Sequence, residues 1–269
     1  MKILDLRSMP AGQLLQADLA IIGAGPEGLT IARELAGTRI RVLVLESGGR
    51  DFEPDIQALN EVENIGEPVD RGAAALGRGY SDELSWLNEI PAFELRNRLI
   101  GGSTHTWIGK CAAFDEIDFA ERPWVPNSGW PIDRRSLSDA LDRAAALLNL
   151  GPNIYDEGLD RLLRSPPVKL GLDRNLLRPF FWQFSHSRER RGEPLRFREE
   201  FKRLEAVNVD TVTNATVTRV KVDKRGHAPF SLEMRTLHGN HAVVQAQVVV
   251  LCAGGIENAR ILLASGIGN

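Results

Sequence analysis

The sequence predicts an α/β protein with a mostly parallel sheet, a β-meander and an inserted segment of mainly helical and irregular character. Three observations carry this. In "DLAIIGAGPEGLTIARELAG" a compact apolar run leads through a glycine turn into a helical pattern, and "IRVLVLESGG" follows as a second apolar run. Near-continuous Ile, Val and Leu marks strands covered on both faces, as in parallel sheets. From Val209 the apolar residues recur at every second position, and "VVVLCAGGIENARILLAS" then repeats strand, glycine turn and helix.

Residues 1–16 read as a short polar leader ahead of the first strand. The helix after the glycine turn carries Leu29, Ala32, Leu35 and Ala36 on one face. Pro26 sits near its start, where a missing N–H costs little, and Gly37 where a left-handed residue ends a helix. Residues 50–94 are polar and weakly periodic, an extended connection with short helices that Trp86 pins down. "DFAERPWVPNSGWPIDRR" is rich in Pro and Trp and reads as irregular. In "SLSDALDRAAALLNLG" Leu137, Leu141, Ala144, Ala145 and Leu148 recur at helical spacing, with Ser136 and Asp139 as start signals and Gly151 as stop. The basic cluster "SRERRGEP" to "RFREEFKRLE" is interleaved with glutamates and lacks stacking aromatics, so it reads as a solvated face. The meander follows: Val217, Val220 and Val222, then Phe230, Leu232 and Met234, then "HAVVQAQVVV", with Gly226 and Gly239 in the turns.

With 269 residues, 43% of them hydrophobic, the chain can bury a sizeable core as one large domain or two modest ones. Its net charge of −3 provides no field to attract nucleic acid or an anionic membrane, which points to a small-molecule partner. Cys111 and Cys252 are far apart and give neither a disulfide framework nor metal-ligand spacing, and a reducing compartment fits. No apolar stretch near the N-terminus has the form of a signal peptide or a membrane span, so the expected location is cytoplasmic, and no metal is expected.

The chemistry begins at Gly23-Ala24-Gly25-Pro26-Glu27-Gly28, a G-x-G-x-x-G directly between predicted strand and helix. Gly23 permits the tight turn, Gly25 lets the backbone approach a pyrophosphate, and Gly28 allows close helix packing, as in a Rossmann-like dinucleotide unit. Glu46 follows Gly28 by 18 residues, where a carboxylate can accept from a ribose diol. That unit alone serves nicotinamide and flavin nucleotides equally. The late strand-Gly-helix favours FAD over NAD, because an early and a late return to the nucleotide suit a two-part flavoprotein domain.

"IIGAGPEGLTIARELA", "LVLESGG", "RLIGGSTHTW", "FDEIDFAERPWVPNSGWPI", "NATVTRV" and "LCAGGIENARILLAS" together resemble, in order and spacing, the N-terminal part of the glucose-methanol-choline (GMC) oxidoreductases, especially the bacterial sugar or alcohol dehydrogenases and the pyranose-oxidase-like branch. The resemblance implies a discontinuous FAD-binding domain over 1–115 and 205–269, an inserted substrate-side segment over 116–204, and no counterpart of the family's C-terminal substrate domain. It implies FAD held by Gly23, Gly25, Pro26, Glu27, Gly28, Glu46 and Ser47. Val217 would meet the adenine through its backbone, and Ala253 and Gly254 would return toward the cofactor. Gly101, Gly102, Ser103, Thr104 and His105 would lie along the flavin. It also implies oxidation of a CH–OH group of an alcohol or sugar, with hydride passing to flavin N5.

Two departures follow from the same resemblance. Members that bond flavin covalently carry the anchoring histidine four residues after the second glycine, whereas His105 is three after Gly102 and Thr106 takes that place; a noncovalent flavin is therefore expected. His186, His227, His238 and His241 stand in polar or turn contexts and read as surface residues. The family's catalytic histidine and its partner belong to the C-terminal part, and nothing in this sequence matches them, so no catalytic residue is assigned. Two readings stay open: an FAD-dependent enzyme represented by its cofactor-binding portion, inactive alone and completed by a second polypeptide, or a non-catalytic flavin-binding fragment or subunit. Trp124, Trp130, Phe180, Phe181 and Trp182 are the candidates for apolar surface left exposed.

Overall fold

The structure is a computed structural model that describes residues 2–61, 96–164, 171, 173, 176–177, 179–222 and 230–268. Trp86, Gly226, His227 and most of the expected connection over 50–94 lie outside these residues. The chain divides into two compact units, 1–106 with 196–269, and 107–195. Residues 107–115 thus cluster with the second unit and 196–204 with the first.

In the first unit, β1 (Ile3–Asp5), β2 (Gln13–Ile22), α1 (Pro26–Glu34), β3 (Val42–Leu45) and α2 (Pro54–Gln57) come before the second unit's residues. The second unit contains β4 (Lys110–Cys111), α3 (Glu116–Phe119), α4 (Ser138–Leu147), α5 (Gly158–Leu162) and β5 (Gln183–Phe184). The first unit resumes with α6 (Phe197–Lys202), β6 (Val209–Thr213), β7 (Thr216–Lys221), β8 (Phe230–Arg235), β9 (His241–Leu251) and α7 (Gly255–Ser265).

One seven-stranded sheet organises the first unit in the order β1-β6-β3-β2-β9-β8-β7. The pairs from β1 to β9 are parallel, and β9-β8-β7 is an antiparallel meander. All of Val42–Leu45 is buried, which explains the unbroken apolar run of β3: helices and neighbouring strands leave it no wet face. β2 behaves differently along its length. Leu19–Ile22 are flanked by both β3 and β9, whereas Gln13–Ala17 pair with β9 alone, and Gln13–Gln16 alternate between half-buried and exposed positions. The stretch expected as a polar leader is therefore built into the sheet at both ends, as β1 and as the first half of β2. Its polarity reflects an edge position, not absence of structure.

The meander's apolar period of two places Leu232, Met234, Ala242, Val244 and Ala246 in the core with Leu6, Leu43 and Leu45. Val217 and Val220 both point inward despite a spacing of three, because the pairing of β7 with β8 shifts register between Val217 and Arg219. Val222, expected with them, is 47% exposed. Gly239 adopts φ 89° in the turn between β8 and β9, and Gly37 takes φ 76° after α1, as a left-handed stop requires.

α4 begins with a 3-10 turn over Arg134–Leu137, capped by the Asp133 carboxylate accepting from the Ser136 N–H, rather than by Ser136 itself. It stops at Asn149 in the left-handed region (φ 56°), before Gly151. α3 interrupts the stretch expected to be irregular through an Asp115/Asp118 capping box. The basic cluster is solvated only in part: in α6, Phe197, Glu199, Glu200 and Phe201 are buried, and Glu200 receives Arg33 and Arg203. In the second unit Trp124, Trp130, Phe180 and Trp182 are exposed by 75%, 53%, 42% and 49%, while Phe181 is half-buried.

Candidate functional site

A cavity of about 880 Å³ is lined at the C-terminal ends of β2, β3 and β9 by Ile22, Leu45 and the residues that follow them. Its size falls inside the range of roughly 300–1,000 Å³ usual for cofactor pockets, and its place is where open parallel sheets take ligands. Every lining residue belongs to 1–106 or 196–269.

The fingerprint glycines divide into two kinds. A Cβ on Gly23, which has φ 108°, would stand 2.4 Å from the Cys252 carbonyl oxygen, and one on Gly28 would stand 2.0 Å from the carbonyl oxygen of Gly23. These glycines let β9, the turn and α1 pack backbone to backbone. Gly25 has φ −78°, and a Cβ there would meet nothing closer than Glu27 Oε2 at 3.4 Å. The fold therefore tolerates a side chain at Gly25, yet the residue lines the cavity beside Pro26 and Glu27. α1 starts at Pro26 without a side-chain cap, so its first-turn N–H groups remain available to an anion.

Glu46 leaves β3 and is 5% exposed. Its Oε2 accepts from the Ala24 N–H and its Oε1 from the Gly48 N–H, both at 2.9 Å. Burial pushes its carboxyl up, opposed by those N–H groups and by the charge of Arg98. Each carboxylate oxygen keeps a lone pair for a ribose hydroxyl. Ser47 lines the cavity next to it and its Oγ pairs with Thr216 Oγ1 at 2.8 Å.

The double-glycine loop is joined to the fingerprint by the Gly101 N–H donating to the Ala24 carbonyl at 2.8 Å. Gly101 and Gly102 have φ 102° and 54°, and a Cβ on Gly102 would come within 2.9 Å of the Gly25 Cα. Gly102 and Ser103 line the cavity; Gly28, Gly101, Thr104 and His105 do not. Thr104 instead braces the loop, its Oγ1 donating to the Gly101 carbonyl at 2.6 Å and accepting from the Phe197 N–H at 3.0 Å. His105 Nε2 lies 2.9 Å from the Ile100 carbonyl. Burial pushes its pKa down, the Ile100 contact opposes that, and Arg198 and Arg196 add to the lowering. Val217, Ala253 and Gly254 line the cavity from the β7 and β9 side, with the Ala253 N–H held by Asn258 Oδ1 at 3.0 Å.

Sequence reasoning missed a polar group on the same wall: Asn60, Arg96, Arg98, Glu257 and Arg260. Arg98 is buried and donates to Asn60 Oδ1, Ser47 Oγ and the Leu59 carbonyl. The available signal was R-x-R ahead of the double glycine and E-x-x-R after the late one. Cys252, also on the wall, is pushed up to about 11 by burial and then by the charge of Glu27, so it stays a thiol. His186, His238 and His241 are exposed. Among the described residues no cluster of His, Cys, Asp or Glu could hold a metal ion, and no helix is long and apolar enough to cross a membrane.

Residues 197–269, which carry β6 to β9 and α7, match the sequence model of the GMC oxidoreductases. Over these residues the chain is similar to the GMC oxidoreductases. Relatives extend the match over the rest of the chain. A 2-methyl-1,2-propanediol dehydrogenase of Mycolicibacterium austroafricanum is 24% identical over 93% of this chain and 51% of its own length. A pyridoxine 4-oxidase of Microbacterium luteolum is 26% identical over 95% of this chain and 53% of its own. Among solved structures, a formate oxidase of Aspergillus oryzae, described for its FAD modification, superposes with a TM-score of 0.54 at 18% identity, covering 97% of this chain and 49% of that one. The chain spans about half the length of the curated relatives it matches. The N-terminal domain of GMC proteins binds FAD, and this cavity fits such a group: a glycine-lined turn, an uncapped helix start and a buried carboxylate surround a space of cofactor size.

Proposed function

We propose that this chain forms the FAD-holding part of an oxidoreductase that acts on the CH–OH group of a small alcohol or sugar. The observation that carries this is Gly25, a glycine that the fold does not need but the cavity does. In this reading the α1 N-terminus and Gly25 receive the pyrophosphate, Glu46 accepts from the ribose diol, and Val217 faces the adenine. Gly102 and Ser103 present backbone close to the flavin. Bound FAD would supply hydride acceptance, and the chain's own residues bind and orient it. The diol dehydrogenase and pyridoxine oxidase among the relatives support an alcohol as the substrate class. The comparisons lend no support to a separate second polypeptide.

The cavity wall contains no histidine among the described residues, and general-base catalysis needs a group within hydrogen-bond reach of the substrate hydroxyl. The wall's largely buried carboxylates are engaged, Glu46 by the Ala24 and Gly48 N–H groups and Glu257 by Arg98 and Arg260, which favours a role in cofactor binding and keeps a flavin-binding module as the second reading. We read the flavin as noncovalent, a reading supported by the contact of His105 with the Ile100 carbonyl and by its place off the cavity wall. Purified protein is expected to be yellow, and acid precipitation should release the flavin to the supernatant. Colour kept in the pellet would overturn the noncovalent assignment, and protein that takes up no FAD would overturn the proposal as a whole.

A further inference from the structure

The polar group that sequence reasoning missed has an order that simple charge balance does not require. Glu257 stands in the first turn of α7, its side chain 12% exposed. Its Oε1 takes Arg98 Nη2 at 2.8 Å and Arg96 Nη1 at 3.4 Å, and its Oε2 takes Arg260 Nε at 2.8 Å. Burial works against the charge of Glu257, yet the Arg260 hydrogen bond and the Arg98 and Arg260 charges hold its carboxyl below the ordinary range. Arg98 in turn is fixed by Asn60, Ser47 and Leu59. Arg260 is thus oriented by a carboxylate that is itself immobilised from behind.

What Arg260 is aimed at is the Val217 carbonyl, to which its Nη2 donates at 3.0 Å. That carbonyl lies where β7 loses register with β8, and such irregularities re-aim backbone groups out of the ladder. Both Val217 and Arg260 line the cavity. A carbonyl oxygen has two lone pairs, so Val217 can accept a second donor. Arg260 Nη1 has no partner among the described residues. The wall therefore presents an acceptor and a charged donor side by side. Adenine offers the complement, its 6-amino group donating and its N1 accepting; hypoxanthine reverses both, with O6 accepting and N1–H donating.

We propose that Arg260, oriented by Glu257, reads the adenine edge together with the Val217 carbonyl and is a specificity-determining residue for the nucleotide half of the cofactor. This rests on the reading of the cavity as an FAD site. The test is displacement of FAD, followed by flavin fluorescence, with ADP and with inosine diphosphate, and direct binding of FMN, which lacks the base. Wild-type protein should prefer ADP to inosine diphosphate by about tenfold, since setting donor against donor and acceptor against acceptor beside a charged group carries a penalty of that order. Arg260→Met should weaken ADP about tenfold and narrow the preference to about threefold, while Arg260→Lys restores part of it and FMN binds all three proteins alike. A wild-type preference retained in Arg260→Met, or an equal loss of FMN and ADP, would overturn the proposal while leaving the FAD reading intact. Wild-type protein that binds neither FAD nor ADP would overturn both.

Discussion

At the scale of single residues, the fingerprint glycines separate folding from binding. Gly28→Ala drives a Cβ to 2.0 Å from the Gly23 carbonyl oxygen and 3.0 Å from the Ile21 side chain, a backbone clash that only displacement of α1 relieves. Gly25→Val meets no such obstacle but fills space beside the α1 N-terminus. The expected outcome is that Gly25→Val melts within a few degrees of wild type and takes up no FAD, whereas Gly28→Ala loses about 3 kcal/mol or more of stability. Thermal melts beside flavin titrations check it, and flavin uptake by Gly25→Val would remove the fingerprint from the binding site. These glycines were legible because their spacing encodes a backbone geometry. Arg98, Glu257 and Arg260 were not, because E-x-x-R on a helix has the same spacing whether it lies in solvent or on a cavity wall. The buried Thr104 escaped notice as a brace for a similar reason: its partner, the Phe197 N–H, comes from a distant part of the chain.

At the scale of elements, the strands that neighbours cover on both faces announced themselves, and those at the margins did not. β3 reads directly from "VLVL" because burial on all sides leaves only apolar choices. β1 and the first half of β2 are half-wet, and their Gln, Asp and Leu mixture looks like a leader until β6 and β9 are present to pair with them. α6 mixes Arg and Glu in the manner of a solvated helix, yet Glu200 is buried between Arg33 and Arg203. α1 contains a different tension. Glu27 stands in its first turn, where the helix dipole favours an anion, and it lines the cavity where a pyrophosphate would bind. Two anions then share one positive terminus. Because Glu27 is exposed, solvent screens the repulsion, and its removal is worth about 0.5–1 kcal/mol. Glu27→Gln is expected to tighten FAD binding by roughly two- to fivefold, with the gain shrinking as salt rises. A titration at low and high ionic strength reads this directly; weaker binding in the variant would mean that Glu27 contacts the cofactor as a needed acceptor.

At the scale of the whole molecule, the sequence order interleaves two units that the contacts separate: strands before residue 107 and after residue 195 share one sheet, and 107–195 cluster among themselves. Every cavity residue sits in the first unit. A ligand that binds the folded state alone stabilises it by RT ln(1 + [L]/Kd), about 2.7 kcal/mol at a hundredfold excess over Kd. That stabilisation should appear where the ligand's contacts are. The first unit holds them at the ends of β2, β3 and β9 and at Gly102 and Ser103, in the loop that the Gly101 to Ala24 hydrogen bond joins to the fingerprint. The second unit is organised around its own contacts, among them the Phe114, Phe119 and Trp130 cluster and the Lys110 ammonium 3.9 Å from the Trp182 ring centroid. Hydrogen exchange with and without saturating FAD is therefore expected to slow amides of Leu19–Ile22, Val42–Leu45 and Val248–Leu251 by up to about a hundredfold. Amides of α4 and β5 should change little. Protection spread evenly over 107–195 would show that the cofactor orders the second unit as well, and would require cofactor contacts beyond the cavity described.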